Sequence, residues 1–246
     1  MQVKINIPDS LSEIKLHQYQ RYMNVVDNSN DELFISQKTI EIFCDIDLKN
    51  TLNIAYKDVT EIMHHFKSVF DVKPELKRII TFNGKEYGFI PNLDDISLGE
   101  LIDVSNSIND IQKLHIAMGV LYRPVKAKYK QLYEIEDYKA DELVMEEMKR
   151  LPLDVVFGAM LFFLSFSERF TKSYPDVFGT ESKGDDYSLK AQFGAKWGWY
   201  HAIYQLAKGD VTRFDEVTKQ QAHKCLTLLN YEKDKAEAEK EQMNRR

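Results

Sequence analysis

Apolar positions near the start of the chain alternate first and then recur at helical spacing. Val3, Ile5 and Ile7 alternate with polar residues and Pro8 follows them, which predicts a half-buried strand ending at the proline. Residues 10–13 read S-x-x-E, the pattern of a capping box, so we expect a helix to follow. The inward positions of that helix are Leu16, Tyr19, Tyr22 and Met23.

Two further helices are expected before residue 71, because apolar residues there recur at steps of three and four. One begins near Asn30, and the other covers residues 57–70. The apolar positions of the first are Leu33, Ile40, Phe43 and Cys44. Those of the second are Val59, Ile62, Met63, Phe66 and Phe70.

A hairpin is the clearest local prediction. Asn83 and Gly84 stand between two alternating apolar runs, and this pair suits the two positive-φ positions of a type I′ turn. A second S-x-x-E at residues 97–100 predicts a short helix, and a longer one follows over residues 108–121. Alternation within residues 121–138 predicts two more strands, which would extend the sheet of the hairpin.

After Asp141 the pattern is helical only. Helices are expected over residues 141–150, 153–172, 188–208 and 215–229, with a long polar connection over residues 172–188. Thr212 or Asp215 is the expected cap of the last packed helix. Residues 230–246 contain five acidic and five basic residues and almost no apolar face, so a helix there needs a neighbour to become well ordered.

These elements predict a mainly α protein of the α+β type, a helical protein with a small antiparallel sheet in its N-terminal half. We expect a sheet-bearing half at residues 1–140 and a helical half at residues 141–230 that packs on it as one continuous unit. Residues 231–246 form a charged C-terminal helix or tail. Ten glycines and six prolines among 246 residues are too few for a fold that turns every ten residues.

Composition excludes several functional classes. A net charge of −6 with both signs interspersed argues against a nucleic-acid-binding face. The most apolar stretch, residues 153–166, has 14 residues, whereas a bilayer needs about 20, so it predicts a core helix and no membrane partner. The first ten residues lack the pattern of a secretory signal. Cys44 and Cys225 lie in apolar helical patterns, which indicates free thiols in a reducing compartment.

Candidate chemistry is sparse. The chain has no H-E-x-x-H motif and no glycine-rich phosphate loop, and the adjacent His64 and His65 point about 100° apart on a helix. Asp45 and Asp47 have the D-x-D spacing of some metal-binding transferases, but they stand at a predicted helix end, where acids are common. Residues 184–186 (GDD) fall in a polar loop. We therefore predict no catalytic site, no metal and no cofactor.

Both tryptophans lie in one predicted helix, within the sequence KWGWYHAIYQLAKGD. Trp199, Ile203 and Leu206 form one helical stripe, and a second, roughly opposite stripe consists of Trp197, Tyr200, Tyr204 and Ala207. A helix that is apolar nearly all round is buried on both sides. It is either the central helix of a core, or Trp197 or Tyr200 anchors a partner, since aromatic residues are enriched at interfaces.

The order of several motifs resembles a virion-associated protein of crAss-like bacteriophages and related tailed phages of Bacteroidetes. The motifs are YGFIPNLDDISLGELIDV, HIAMGVLYRPV, YEIEDY, an apolar helix after LP, KWGWYHAIYQLAKGDVTRFDEV and LLNYEKDKAEAEKE. The resemblance covers roughly residues 5–241. It implies a structural, non-enzymatic ring protein of the head-to-tail connector or tail, with no catalytic residue to transfer.

The resemblance also implies partners and a location. The expected partners are further copies in a cyclic homo-oligomer and neighbouring phage ring, portal or tail proteins, with DNA only as a passing genome. The expected location is the virion neck or tail, and the host cytoplasm during assembly. Candidate contacts are a strand at Val3 and Ile5, the loop at residues 173–188, Trp197 or Tyr200, and the charged end. The candidate residues of that end are Tyr231, Lys235 and Glu239.

Two alternatives stay open at this point. A tail assembly chaperone, absent from the mature virion, has a similar helical composition and charged end. An enzyme with an unrecognised site would use Asp45 and Asp47 with His64 or His65. Mass spectrometry of purified virions separates ring protein from chaperone, and alanine at the two aspartates tests the enzyme.

Overall fold

A computed structural model describes residues 5–130, 132–178 and 189–245. The helices of the first part are α1 (Leu16–Asn28), α2 (Glu32–Cys44), α3 (Leu48–Thr51), α4 (Tyr56–Phe70), α5 (Leu98–Ser107) and α6 (Leu114–Leu121). Those of the second are α7 (Glu142–Glu147), α8 (Leu153–Lys172), α9 (Pro175–Phe178), α10 (Leu189–Leu206), α11 (Phe214–Thr218) and α12 (Ala222–Asn244). The strands are β1 (Ile79–Phe82), β2 (Lys85–Phe89), β3 (Tyr122–Tyr129) and β4 (Leu132–Ile135). The predicted mainly α fold with a small sheet is confirmed.

The chain forms two compact units, described separately. One unit comprises Met1–Pro91 and Asn106–Phe162, and the second comprises Asn92–Ser105 and Phe163–Arg246. This division runs across the predicted halves 1–140 and 141–230, because residues 92–105 group with the C-terminal helices and residues 141–162 group with the sheet. Within the residues described, no helix combines the length and the apolar content that a bilayer crossing requires.

The start of the first unit differs from the prediction. Residues 5–7 have no regular secondary structure, so the predicted strand is wrong at Ile5, and Val3 lies outside the described residues. Residues 10–13 form a turn, and α1 begins only at Leu16. The reason is tertiary: the carbonyl oxygens of Leu11 and Ile14 accept hydrogen bonds from the amide of Leu153 at 3.1 and 2.8 Å. That pairing holds the backbone before Leu16 out of a helix.

The core of the first unit includes one face of α2 and one face of α4, as predicted. Asp31 caps α2, because its Oδ1 accepts from the amides of Leu33 and Phe34. The buried apolar residues of these two helices include Ile40, Phe43, Cys44, Val59, Ile62, Phe66 and Val69. Leu33 is an exception and is exposed, since it stands in the first turn of α2.

The sheet of the first unit is antiparallel, with strand order β1-β2-β3-β4. Asn83 and Gly84 have φ of 48° and 73°, so the predicted hairpin turn is confirmed. The prediction that residues 121–138 extend this sheet is also confirmed. Gly88 is required in β2, because a Cβ there would stand 2.5 Å from the ring of Tyr133. The Tyr133 hydroxyl donates to the carbonyl of Phe89 at 2.6 Å.

In the second unit, the capping box at the start of α5 is confirmed. The Ser97 amide donates to Glu100 Oε2 at 2.8 Å, and the Glu100 amide donates to Ser97 Oγ at 3.3 Å. A single helix over residues 215–229 is wrong, because the chain breaks between α11 and α12. At this break the Gln220 carbonyl accepts from the Leu98 amide at 2.8 Å, and the Ala222 amide donates to Ile96 at 2.9 Å.

Two smaller predictions in this unit also change. Neither Thr212 nor Asp215 caps α12, which begins after Gln221 without a side-chain cap. Asp210 instead caps the short 3-10 helix at Val211–Arg213, because its Oδ1 accepts from the Thr212 amide at 3.0 Å. The predicted loop at residues 172–188 contains α9, and its residues 179–188 lie outside the described part of the chain.

Candidate protein–protein interface

The helix that carries both tryptophans has one partly buried stripe and one exposed stripe. Trp199, Ile203 and Leu206 pack against a buried cluster in the second unit. The members of that cluster are Leu98, Ala207, Val217 and Cys225. The prediction that these three residues share one stripe is therefore confirmed, whereas burial on both sides of the helix is not observed for its described side chains. Ala207 was assigned to the opposite stripe and is fully buried instead, because it follows Ile203 by four residues and so lies beside it on the helix.

The exposed stripe, here named the aromatic face, consists of Trp197, Tyr200 and Tyr204. Their exposed fractions are 41%, 52% and 48%. The rings are ordered by neighbouring side chains: the ring centroids of Trp197 and Tyr200 are 5.7 Å apart, and that of Tyr200 is 5.6 Å from Phe214 in an edge-on arrangement. The alternative of a central core helix is wrong for the described part of α10. Held aromatic rings of this kind are typical anchors of protein interfaces.

The C-terminal end of α10 fixes the last ring of the aromatic face. Lys208 and Gly209 have φ of 56° and 78°, and the Gly209 amide donates to the Tyr204 carbonyl at 2.9 Å. This is the hydrogen bond of a helix end that turns through left-handed residues. A Cβ on Gly209 would stand 3.1 Å from the Tyr204 hydroxyl oxygen, so the ring lies directly over the glycine.

The last helix has two distinct parts. Ala222, Cys225, Leu226 and Leu229 are buried, and they anchor the first part in the second unit. From Tyr231 to Arg245 every residue is exposed, and we name this segment the arm. The helix continues without interruption to Asn244, so the arm extends about 20 Å at 1.5 Å per residue.

The anchored part of α12 is also held by polar contacts. The hydroxyl oxygen of Tyr174 lies 2.7 Å from Nδ1 of His223, and Nε2 of His223 lies 3.6 Å from Asp94 Oδ1. The Gln221 side-chain amide donates to Asp95 Oδ1 at 2.9 Å. In the arm, by contrast, ion pairs are local to the helix: Lys235 with Glu239 at 3.9 Å and Arg245 with Glu241 at 3.5 Å. Such exposed pairs stabilise a helix by only about 0.3–0.5 kcal/mol each.

The predicted interface residues are thus placed as follows. Trp197 and Tyr200 are in contact on the aromatic face, and Tyr231, Lys235 and Glu239 are exposed on the arm. Ile5 is half-buried outside any strand. The aromatic face lies on α10 and the arm lies on α12, so the two surfaces belong to different helices.

Comparisons with protein-family models, with curated proteins and with solved structures found no match for this chain.

The residues that an enzyme would use occupy ordinary structural positions. Asp45 ends α2 in a left-handed conformation, Asp47 precedes α3, and the ring of His65 lies 2.9 Å from the Pro8 carbonyl. Across the described chain, no group of three or more His, Cys, Asp or Glu side chains is arranged to hold a metal ion.

Sequence reasoning missed a groove in the second unit. It has a volume of about 310 Å³, and its lining residues come from α10, the turn after it, α11 and the start of α12. They are Leu206, Arg213, Glu216, Val217, Gln220, Lys224, Cys225 and Leu228. The groove depends on the break between α11 and α12. A single helix over residues 215–229, as the periodicity suggests, gives no sign of it.

Proposed function

We propose that this protein is a structural subunit of a bacteriophage neck or tail, where it forms an oligomeric ring through protein–protein contacts. The observation that supports it most is the arm: from Tyr231 to Asn244, α12 continues for about four turns with every residue exposed. A segment of this composition gains little stability by itself, so a neighbouring subunit is the natural recipient of its surface. The motif resemblance supports the assignment to the virion.

The aromatic face gives the proposal a second contact surface. In a closed ring each subunit presents two different surfaces, one to each neighbour. The arm and the aromatic face differ in chemistry, one being charged and helical and the other being formed by packed rings. Two unlike surfaces on one chain favour heterologous, ring-forming contacts over a simple two-fold dimer.

Mass spectrometry of purified virions tests the assignment. A ring subunit is expected at a fixed stoichiometry to the other neck and tail proteins. Absence from mature particles, combined with presence in infected-cell lysates, would contradict the proposal and support the assembly chaperone.

A truncation tests whether the arm matters for assembly. Ending the chain after Asn230 removes only exposed residues, so the unfolding midpoint should stay close to that of the full chain. Virions produced when the truncated chain replaces the full chain should not contain the truncated chain. Tyr129→Ala, an exposed change in the first unit, is the matched control and should be incorporated normally. Full incorporation of the truncated chain would remove the arm from the proposal.

A further inference from the structure

The groove of the second unit has an apolar floor and a basic rim. Val217 and Cys225 are buried at its base, while Leu228 is 45% exposed at its edge. Arg213 and Lys224 contribute two positive charges, against the single negative charge of Glu216. Within the described chain Lys224 forms no ion pair, and the charge of the Arg213 side chain is attracted to Asp210 only at longer range. The groove therefore suits an acidic segment with small apolar side chains.

The arm carries a segment of that chemistry. Residues 236–241 read AEAEKE, so three glutamates alternate with two alanines and one lysine. All six residues are exposed. Glu237 has no ion-pair partner within the described chain, while Glu239 and Glu241 pair only within the arm. Glu237 and Glu241 are four residues apart and therefore share one face of the helical arm, whereas Glu239 lies on the opposite face.

The arm is too far along its own helix to enter its own groove. Lys224 and Leu228 line the groove from the first two turns of α12, and the same helix runs unbroken to Asn244. Glu237 lies thirteen residues after Lys224, about 20 Å along a rigid axis at 1.5 Å per residue. Only the arm of another copy can reach this groove without breaking α12.

We propose that the arm of one copy binds in the groove of a second copy, with Glu237 and Glu241, which lie on one face of the arm, near Arg213 and Lys224. This inference rests on the proposed ring function and names its contact. Each copy then offers one free arm and one free groove, so the contact is heterologous and propagates until a ring closes. Because exposed charges contribute to it, the association should weaken as salt concentration rises.

Reciprocal charge reversal tests this contact. One full-length variant carries Arg213→Glu and Lys224→Glu, and the other carries Glu237→Lys and Glu241→Lys. Each variant alone places like charges opposite each other, and its self-association should weaken by about tenfold or more. In an equimolar mixture, the basic arm of the second variant faces the acidic groove of the first, and the unchanged arm faces the unchanged groove. The mixture should recover the oligomer of the natural chain.

Sedimentation velocity over a wide concentration range measures the outcome, with circular dichroism to verify that each variant is folded. Lys130→Glu with Lys139→Glu, two exposed changes in the first unit, controls for net charge and should not alter association. A monomer at every concentration, or a mixture that associates no better than its components, would overturn the inference. Virion mass spectrometry distinguishes the two proposals. If the protein is present in virions but the mixed variants do not associate, the arm–groove contact is refuted and the proposed virion role is not.

Discussion

Trp197 and Trp199 are two residues apart and occupy different environments. Trp199 packs against the buried cluster of Leu98 and Cys225, whereas Trp197 is 41% exposed and contacts Tyr200. The residue between them, Gly198, has φ of 27° and ψ of −112°, which interrupts the helical backbone of α10. The two side chains therefore contribute to different properties: one to folding and one to the surface.

Alanine at the two tryptophans should separate these properties. Trp199→Ala removes a large, partly buried side chain that packs against the core cluster, and should lower the free energy of unfolding by about 2 kcal/mol. Trp197→Ala should change it by less than about 0.5 kcal/mol, as for surface substitutions, but should weaken self-association. Denaturant titration and sedimentation velocity measure the two effects. Equal losses of stability in both variants would contradict this assignment of roles.

Gly198→Ala tests the break itself. Residues with a Cβ are disfavoured at positive φ by about 1–2 kcal/mol, so the substitution should lower the free energy of unfolding by that amount. Tryptophan fluorescence should also shift if α10 straightens and moves Trp197. Gln205→Ala, at an exposed position of the same helix, is the matched control and should be close to neutral. Unchanged stability in both variants would show that the interruption of α10 at Gly198 is not required for the stability of the fold.

Local signals in the sequence predicted much of the fold, because their physical causes are local. The Asn83–Gly84 turn needs only two residues that tolerate positive φ. The two S-x-x-E motifs show the limit of such signals. Residues 97–100 form the expected box, but residues 10–13 form a turn, because the segment after them bonds to Leu153, more than 130 residues away. A motif cannot reveal a partner so distant in the chain.

Part of the candidate interface could also be predicted, because the facing of residues along a helix is a local property. Helical periodicity separated Trp199 from Tyr200, because facing within one helix follows from spacing alone, whereas Trp197 lies before the interruption at Gly198. The groove could not be predicted in this way. It requires the break near Gln220, whose carbonyl bonds to Leu98 in α5, and this contact joins segments more than 120 residues apart.

The Tyr174–His223 contact should stabilise the anchored part of α12. Tyr174→Phe removes the 2.7 Å contact between the buried Tyr174 hydroxyl and Nδ1 of the half-buried His223, and should lower the free energy of unfolding by about 1 kcal/mol. Tyr129→Phe, on an exposed tyrosine, is the matched control. Denaturant titration of both variants gives the comparison. A loss as small as that of the control would mean that this hydroxyl is dispensable.

Both cysteines should resist modification in the folded protein. Burial raises the pKa of Cys44 to about 11 and also raises that of Cys225, so little reactive thiolate is present near neutral pH. Maleimide labelling followed by intact mass should show slow labelling until denaturant is added. Leu132→Cys places a third thiol at an exposed position and should label quickly. Fast labelling of Cys225 in the native chain would show that the groove opens in solution.

His115 should make the first unit less stable in acid. Its side chain is buried, with Nε2 3.3 Å from Glu146 Oε1. Burial lowers the pKa of His115, the nearby Lys149 lowers it further, and Glu146 opposes both. The folded state therefore binds a proton less readily than the unfolded state, whose histidine pKa is about 6.5.

The sign of the pH dependence follows from this difference. Above the unfolded pKa neither state is protonated, so the stabilising contribution of neutral His115 is complete. As pH falls through about 6.5 toward the lower folded pKa, the unfolded state takes up the proton first and the free energy of unfolding decreases. His115→Gln should remove this part of the decrease between about pH 7.5 and about pH 5.5, whereas His64→Gln, at an exposed histidine, should keep it. Urea titrations across this range measure the slope, and the same slope in both variants would exclude His115 as its source.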